Sequence, residues 1–440
     1  MNPSNIGEYV SNYLYIKLNT SVNPEDYFKD PLLTKTIIHE YIHFIQNIST
    51  IHGMLGIINV CDKIQEFYNA NYPIKFPFVS KREETLFWTD CLDITENSMS
   101  TTPTVPFFIT SAKLKQDTNG FPLVKSGTSI IIYPYYVEIS YQNQTIQYDF
   151  GTQAIKEAMT TVFEEALMPN SNPKNFWTLP YDLVEIIFKF NYPILLKPQY
   201  LYAFCDSCLM SRNPPETFKI MLDRMIQSQF IPNTALDIYN FFRANYINSY
   251  NYLSDWGEIF SLTIRKVNDI INVKQLDYAA EWTLKLITHY NTLRKTNPDF
   301  FSEIIKFKTP KKRLLLFLQY LNKDTSPLIF NNNNIPACIG SPLLSEEQSS
   351  SLLYWYHMSL MFIYVFKNNK TCPFTICKEK CKYRNKPYNK KVLNENLFNK
   401  ILVKVLFILY NKFGLFFNIQ PCLFTNFSRS FGLYKHEIVE

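Results

Sequence analysis

The chain has 440 residues, 46% of them hydrophobic, enough to bury a sizeable core and to exclude wholesale disorder. Its net charge of +6 is concentrated: between Lys367 and Lys391, nine Lys/Arg face one acidic residue, Glu379, a local +8 that leaves the remainder near −2. The protein as a whole is therefore not basic, and nine cysteines, an odd number on a long chain, do not read as a disulfide scaffold.

The first 22 residues have neither a basic start nor an unbroken apolar stretch, so no secretory signal is expected and a reduced, cytoplasmic protein fits. Residues 31–68 read as one helix, opened by Asp30 and Pro31 in the N-cap and first-turn positions. Around 70–128 the pattern turns irregular, broken by YPIKFPF and TTPTVPFF. SIIIYPYYVEISYQNQTIQYDFG (129–151), β-branched and aromatic around a polar QNQ, predicts a hairpin, and TQAIKEAMTTVFEEALM (152–168) a helix. Beyond about residue 180 nearly everything is helix-like, with breaks at 212–216, 295–299 and 323–349. The apolar runs 352–366 and 401–417 fall short of the roughly 20 uninterrupted residues a spanning helix needs, so they read as core helices and no membrane partner is expected. The expected fold class is α+β, predominantly α: a region 1–230 with a small sheet or hairpin, then an all-α region 231–440.

Within the first long helix, TIIHEYIHFIQNIST (36–50) carries H-E-x-x-H. At about 100° per residue, His43, Glu40, Gln46, Asn47 and Thr50 all fall within roughly 100° of His39, while isoleucines, Phe44 and Tyr41 fill the rest. One polar wedge on a helix otherwise buried all round is costly unless something satisfies it, and a divalent metal would. Two imidazoles one turn apart suit tetrahedral Zn2+, with Glu40 placed to take a proton from water. On this motif the chain resembles the HExxH zinc metallopeptidases, the zincins. The resemblance implies a zincin-like region at 1–230, with His39 and His43 as metal ligands and Glu40 as the catalytic base.

A catalytic zinc needs a third protein ligand. His52 would point away from the wedge if the helix continues, and the metzincin pattern fails because position 46 is Gln and position 49 is Ser. IKEAMTTVFEE (155–165) is similar to the ligand helix of the gluzincin branch, where a ligand Glu is followed by another Glu seven residues later. That implies Glu157 as third ligand and Glu164 as a partner for the far nitrogen of a ligating histidine. Ala158 and Met159 replace Gly and Phe of the family pattern, Lys156 replaces Asn, and Thr161 stands where thermolysin-like enzymes have Asp. Glu157, Thr160, Thr161 and Glu164 share one helical stripe. Tyr181 and His289 are candidates for the donor to a tetrahedral oxyanion. The segment 129–151 is a candidate edge strand for an extended substrate.

Residues 371–391 combine Cys372, Cys377 and Cys381 with the basic run, a weaker candidate for a second metal, with Cys338, His357 or Cys422 as fourth ligand. Phe374, Tyr383 and Tyr388 interleave the charges, so nucleic acid is a minor candidate partner. Cys205 and Cys208 read as core. The leading expectation is a zinc-dependent peptidase acting on a protein or peptide, with a regulatory protein partner to restrain it. Its layout also resembles uncharacterised bacterial HExxH proteins, some linked to phage defence, which implies a toxin or defence effector. The alternative is a non-catalytic binding or sensor protein with a structural metal site, its basic segment contacting nucleic acid or a protein partner.

Overall fold

The computed structural model describes residues 6–359, leaving out 12, 70–78, 97–102, 107, 126–127, 170–175, 246–251, 271–276, 321–325, 333–335, 339–344, 346–347, 349–350, 353–354 and 357–358. Asp30 caps helix α1 (Pro31–Ser49), its carboxylate accepting from the N–H groups of Leu32 and Leu33 at 2.8 and 3.1 Å, with Pro31 in the first position. The expected single helix 31–68 is instead two, because Thr50 takes an extended backbone and α2 (Ile51–Asn69) leaves α1 at a bend of 77°. The Thr50 hydroxyl accepts from the Gly53 N–H (3.1 Å) and the Asn47 amide donates to the Gly53 carbonyl (3.1 Å), so polar groups freed by the break are satisfied locally. Only glycine suits position 53: a Cβ there would lie 2.4 Å from backbone atoms of Gln46 and Asn47.

Strands β1 (Gly7–Val10) and β2 (Tyr15–Leu18) pair antiparallel and lie over α1. The segment expected to be irregular holds α3 (Glu83–Glu96), β3 (Thr104–Pro106), β4 (Ser111–Gln116) and β5 (Phe121–Lys125). The hairpin expected over 129–151 is shorter. β6 (Thr128–Ile132) pairs with β5, and the hairpin proper is β7 (Tyr135–Tyr141) with β8 (Gln144–Phe150). Pro134, with no N–H, separates β6 from β7. Gln142 and Asn143 make the turn at φ 47° and 63°, as a two-residue hairpin requires. β4 pairs with β7 on its other side.

Helix α4 (Thr152–Leu167) follows as expected, then β9 (Phe176–Thr178), which pairs with β3, and α5 (Leu183–Asn191), α6 (Pro198–Leu209), α7 (Pro214–Gln227), α8 (Ala235–Asn245), α9 (Tyr252–Ile270), α10 (Asp277–Thr296), α11 (Phe300–Lys306) and α12 (Pro310–Tyr320). The region expected to be all-α also contributes β10 (Leu328–Phe330), parallel to β2, and β11 (Pro336–Cys338), antiparallel to β10. These completing strands are three residues each, too short to carry a period. The class is α+β, predominantly α. Residues on both sides of the expected 230/231 division enter one hydrophobic cluster, running from Tyr13 to Tyr356. Across it, α10 backs α1: the Tyr41 and Tyr290 hydroxyls bond, Asn291 donates to the Ile48 carbonyl (3.0 Å), and Arg294 reaches Ser49 (3.0 Å) from its two-pronged pairing with Asp206. Among the described residues no single helix is long and apolar enough to cross a membrane.

Gly53→Ala forces two backbones apart at the bend, and overpacking of this kind costs about 1–3 kcal/mol or more. Urea unfolding of the variant is expected to show a midpoint lowered accordingly, without change in the slope.

Candidate metal centre

Helices α1 and α4 lie antiparallel, so that residues spaced by turns on one meet residues spaced by turns on the other. His39 and His43 come from α1 and Glu157 from α4, and ligand atoms of the three lie within 4.8 Å of one another. Glu157 Oε2 is 3.4 Å from His39 Nε2 and 3.5 Å from His43 Nε2. Two ligands about 2.1 Å from a tetrahedral ion stand roughly 3.4 Å apart, so these spacings suit zinc. Glu157 Oε2 is buried and has no hydrogen-bond partner, although a desolvated carboxylate oxygen normally demands one. A divalent cation among these donors satisfies all three at once, and the residues fit it.

Both rings are held from behind. His39 Nδ1 lies 2.8 Å from Glu164 Oε2, whose other oxygen takes Lys35 at 3.0 Å. His43 Nδ1 lies 2.9 Å from Gln46 Oε1. The ring planes stand at 77°, centroids 5.0 Å apart. Without a cation the cluster holds a proton instead. Burial opposes charge on His39, yet the carboxylates of Glu157 and Glu164 override it and lift its pKa to about 10. Burial works to raise Glu157, but the imidazoles of His43 and His39 hold its carboxyl well below the usual range; Glu164 is lowered by His39 and Lys35 against the same desolvation.

Glu40 points to the side of this group. Its Oε2 accepts the Tyr9 N–H at 2.7 Å, and the Tyr9 hydroxyl donates to Asn47 (2.8 Å) while its ring meets Phe44 edge-on. The strand that reaches Glu40 is therefore β1. Tyr181 stands beside the cluster, its ring centroid 6.2 Å from that of His39. Burial, with the charges of Glu157, Glu40 and Glu164, pushes its phenol well above the ordinary range and keeps it a donor. His289 is elsewhere, exposed and bonded to Tyr320 at 2.8 Å. His52, carried off by the bend, faces Glu96 at 3.4 Å.

Lys35, Gln46 and Tyr9 were not expected as site residues. Lys35 is one turn before His39 and Gln46 one turn after His43, so helical spacing carried a signal for both. Nothing local pointed to Tyr9. Cys205 and Cys208 are fully buried in α6, as expected of core. Cys372, Cys377, Cys381, His357, Cys422 and the basic run 367–391 lie outside the described residues. No family model, curated protein or solved structure matches this chain.

A histidine whose pKa rises from 6.5 to about 10 on folding stabilises the metal-free fold fully below pH 6.5, and that contribution is lost as pH rises through about 10. Unfolding midpoints of chelator-treated protein are expected to fall over this window more steeply than those of His39→Gln. Saturating zinc, which displaces the proton, is expected to remove the excess.

Proposed function

We propose that the chain is a zinc-dependent peptidase, with His39, His43 and Glu157 holding the metal and Glu40 as general base. The observation that carries this reading is the partnerless buried oxygen of Glu157 facing two ring nitrogens, with Glu40 alongside but outside the donor group. Among the described residues that group has three protein donors, which favours an open position over the four-ligand closure of a structural site. Bound zinc supplies a Lewis acid that lowers the pKa of water toward about 7 and polarises a carbonyl.

The remaining work falls to the chain's own groups. The Tyr9 N–H anchors Glu40 Oε2, leaving Oε1 to accept the proton of the attacking water and later return it to the leaving amine. The Tyr181 hydroxyl, kept protonated, is placed to donate to the oxygen on which negative charge develops. Among the described residues β1 is an edge strand, and Tyr9 turns its backbone away from β2; its N–H is taken by Glu40, which leaves its carbonyl for a substrate on that edge. An extended peptide is the substrate that such an edge holds. Cys61, Cys91, Cys205 and Cys208 are unpaired thiols, which supports a reducing, cytoplasmic setting.

Elemental analysis is expected to find about one zinc per chain in the wild type and to lose it in His39→Ala and Glu157→Ala. Glu40→Gln is expected to keep the zinc while turnover of a mixed peptide library falls by about 10²- to 10⁴-fold or more. Zinc retained by both ligand variants, or an unimpaired Glu40→Gln enzyme, would sink the proposal.

A further inference from the structure

Gln46 is 1% exposed, and every polar atom of its side chain is engaged. Its Nε2 donates to the carbonyl of Lys156 at 2.9 Å and lies 3.3 Å from the hydroxyl of Thr160. A carbonyl oxygen can only accept, so the amide has one permitted orientation: nitrogen toward Lys156, oxygen toward His43. The Thr160 hydroxyl spends its proton on the same carbonyl, at 2.7 Å, and stands 3.5 Å from His43 Nδ1 as a second acceptor. With acceptors alone behind the ring, Nδ1 must carry a proton.

We propose that Gln46 is a positioning residue, which fixes His43 with its proton on Nδ1 and so turns the Nε2 lone pair toward Glu157. A backbone carbonyl that cannot change its polarity fixes an amide that cannot flip, and the amide fixes the tautomer of the ring. The carbonyl that starts it belongs to the peptide joining Lys156 to Glu157. One peptide group therefore sets the place of the third ligand and the orientation of the second. Lys156 is itself tied down, its ammonium 2.9 and 3.1 Å from the two oxygens of Glu96 on α3. The two histidines are supported differently: His39 by a carboxylate shared with Lys35, His43 by a neutral amide. The consequence for metal affinity rests on the zinc reading above, whereas the tautomer does not.

The test is histidine nitrogen NMR on the full chain, with and without zinc, beside zinc affinity measured by competition with a chelator. The wild type is expected to carry the His43 proton on Nδ1 in both states. In metal-free Gln46→Leu the neutral ring is expected to shift to the Nε2–H form, which can bond Glu157, and zinc affinity to fall about 10- to 100-fold. Gln46→Glu keeps an acceptor for His43 but loses the donor for Lys156, so its affinity should lie between the two. A purely structural role would lower thermal stability in both variants without moving the tautomer. An Nε2–H ring in the wild type overturns the inference even if Gln46→Leu does not fold, and so does unchanged zinc affinity in a folded Gln46→Leu. A wild type that binds no zinc yet holds the proton on Nδ1 upholds the role of Gln46 and removes the zinc reading instead.

Discussion

Inside a helix pair lined by isoleucine, phenylalanine and methionine, a carboxylate oxygen of Glu157 faces two imidazole nitrogens at 3.4 and 3.5 Å without a hydrogen bond from either. Desolvated charge of this kind is expensive, and removing it from water is tolerated only when neighbouring groups answer it. The surroundings of α1 follow from that constraint. Lys35 and His39 answer Glu164, the backbone of Tyr9 answers Glu40, and Gln46 answers His43. Among the charged groups of this cluster, Glu157 Oε2 is the oxygen with no hydrogen-bond partner.

The rest of the architecture keeps this arrangement still. α1 touches the N-terminal sheet, α4 and α10, and its apolar side is filled by Tyr290 and Phe317 packed edge-on against Phe44 and Tyr41. The bend at Thr50 ends the helix at the last residue of the polar wedge and sends α2 away, so the wedge runs about three turns, from His39 to Thr50. Gly53 permits that sharp exit. Beyond the bend His52 is a buried base against Glu96, its pKa lowered by burial.

What could be read from the amino acids alone was whatever is periodic. The wedge on α1, the stripe of Glu157, Thr160 and Glu164 on α4, and the cap at Asp30 are all one-helix facts, and each reappears in three dimensions. The resemblance and the stripe together implied Glu164 as the partner of a ligating histidine, and His39 is the one it meets. What escaped was set by distant partners. β10 is recognisable as a strand only beside β2, and Tyr9 gains a role only when β1 lies on α1. The break at Thr50 also hid within an uninterrupted apolar pattern, because an extended Thr followed by Gly53 reads no differently from a helical one. Pro134 is the opposite case: a visible breaker inside the predicted hairpin that should have divided it.

The parallel ladder between β2 and β10 joins Tyr15 to Leu328, and this distance along the chain governs the order of assembly. At about 5–20 residues per second, a ribosome needs on the order of tens of seconds to pass from one strand to the other. Throughout that interval β2 lacks its inner neighbour, and β1, which anchors Glu40, hangs on a two-stranded ribbon of the kind that is marginal in water. Contacts so far apart are also slow to close. The backbone that steadies Glu40 is thus completed late in synthesis, and a nascent chain carries the histidines long before it carries their finished surroundings.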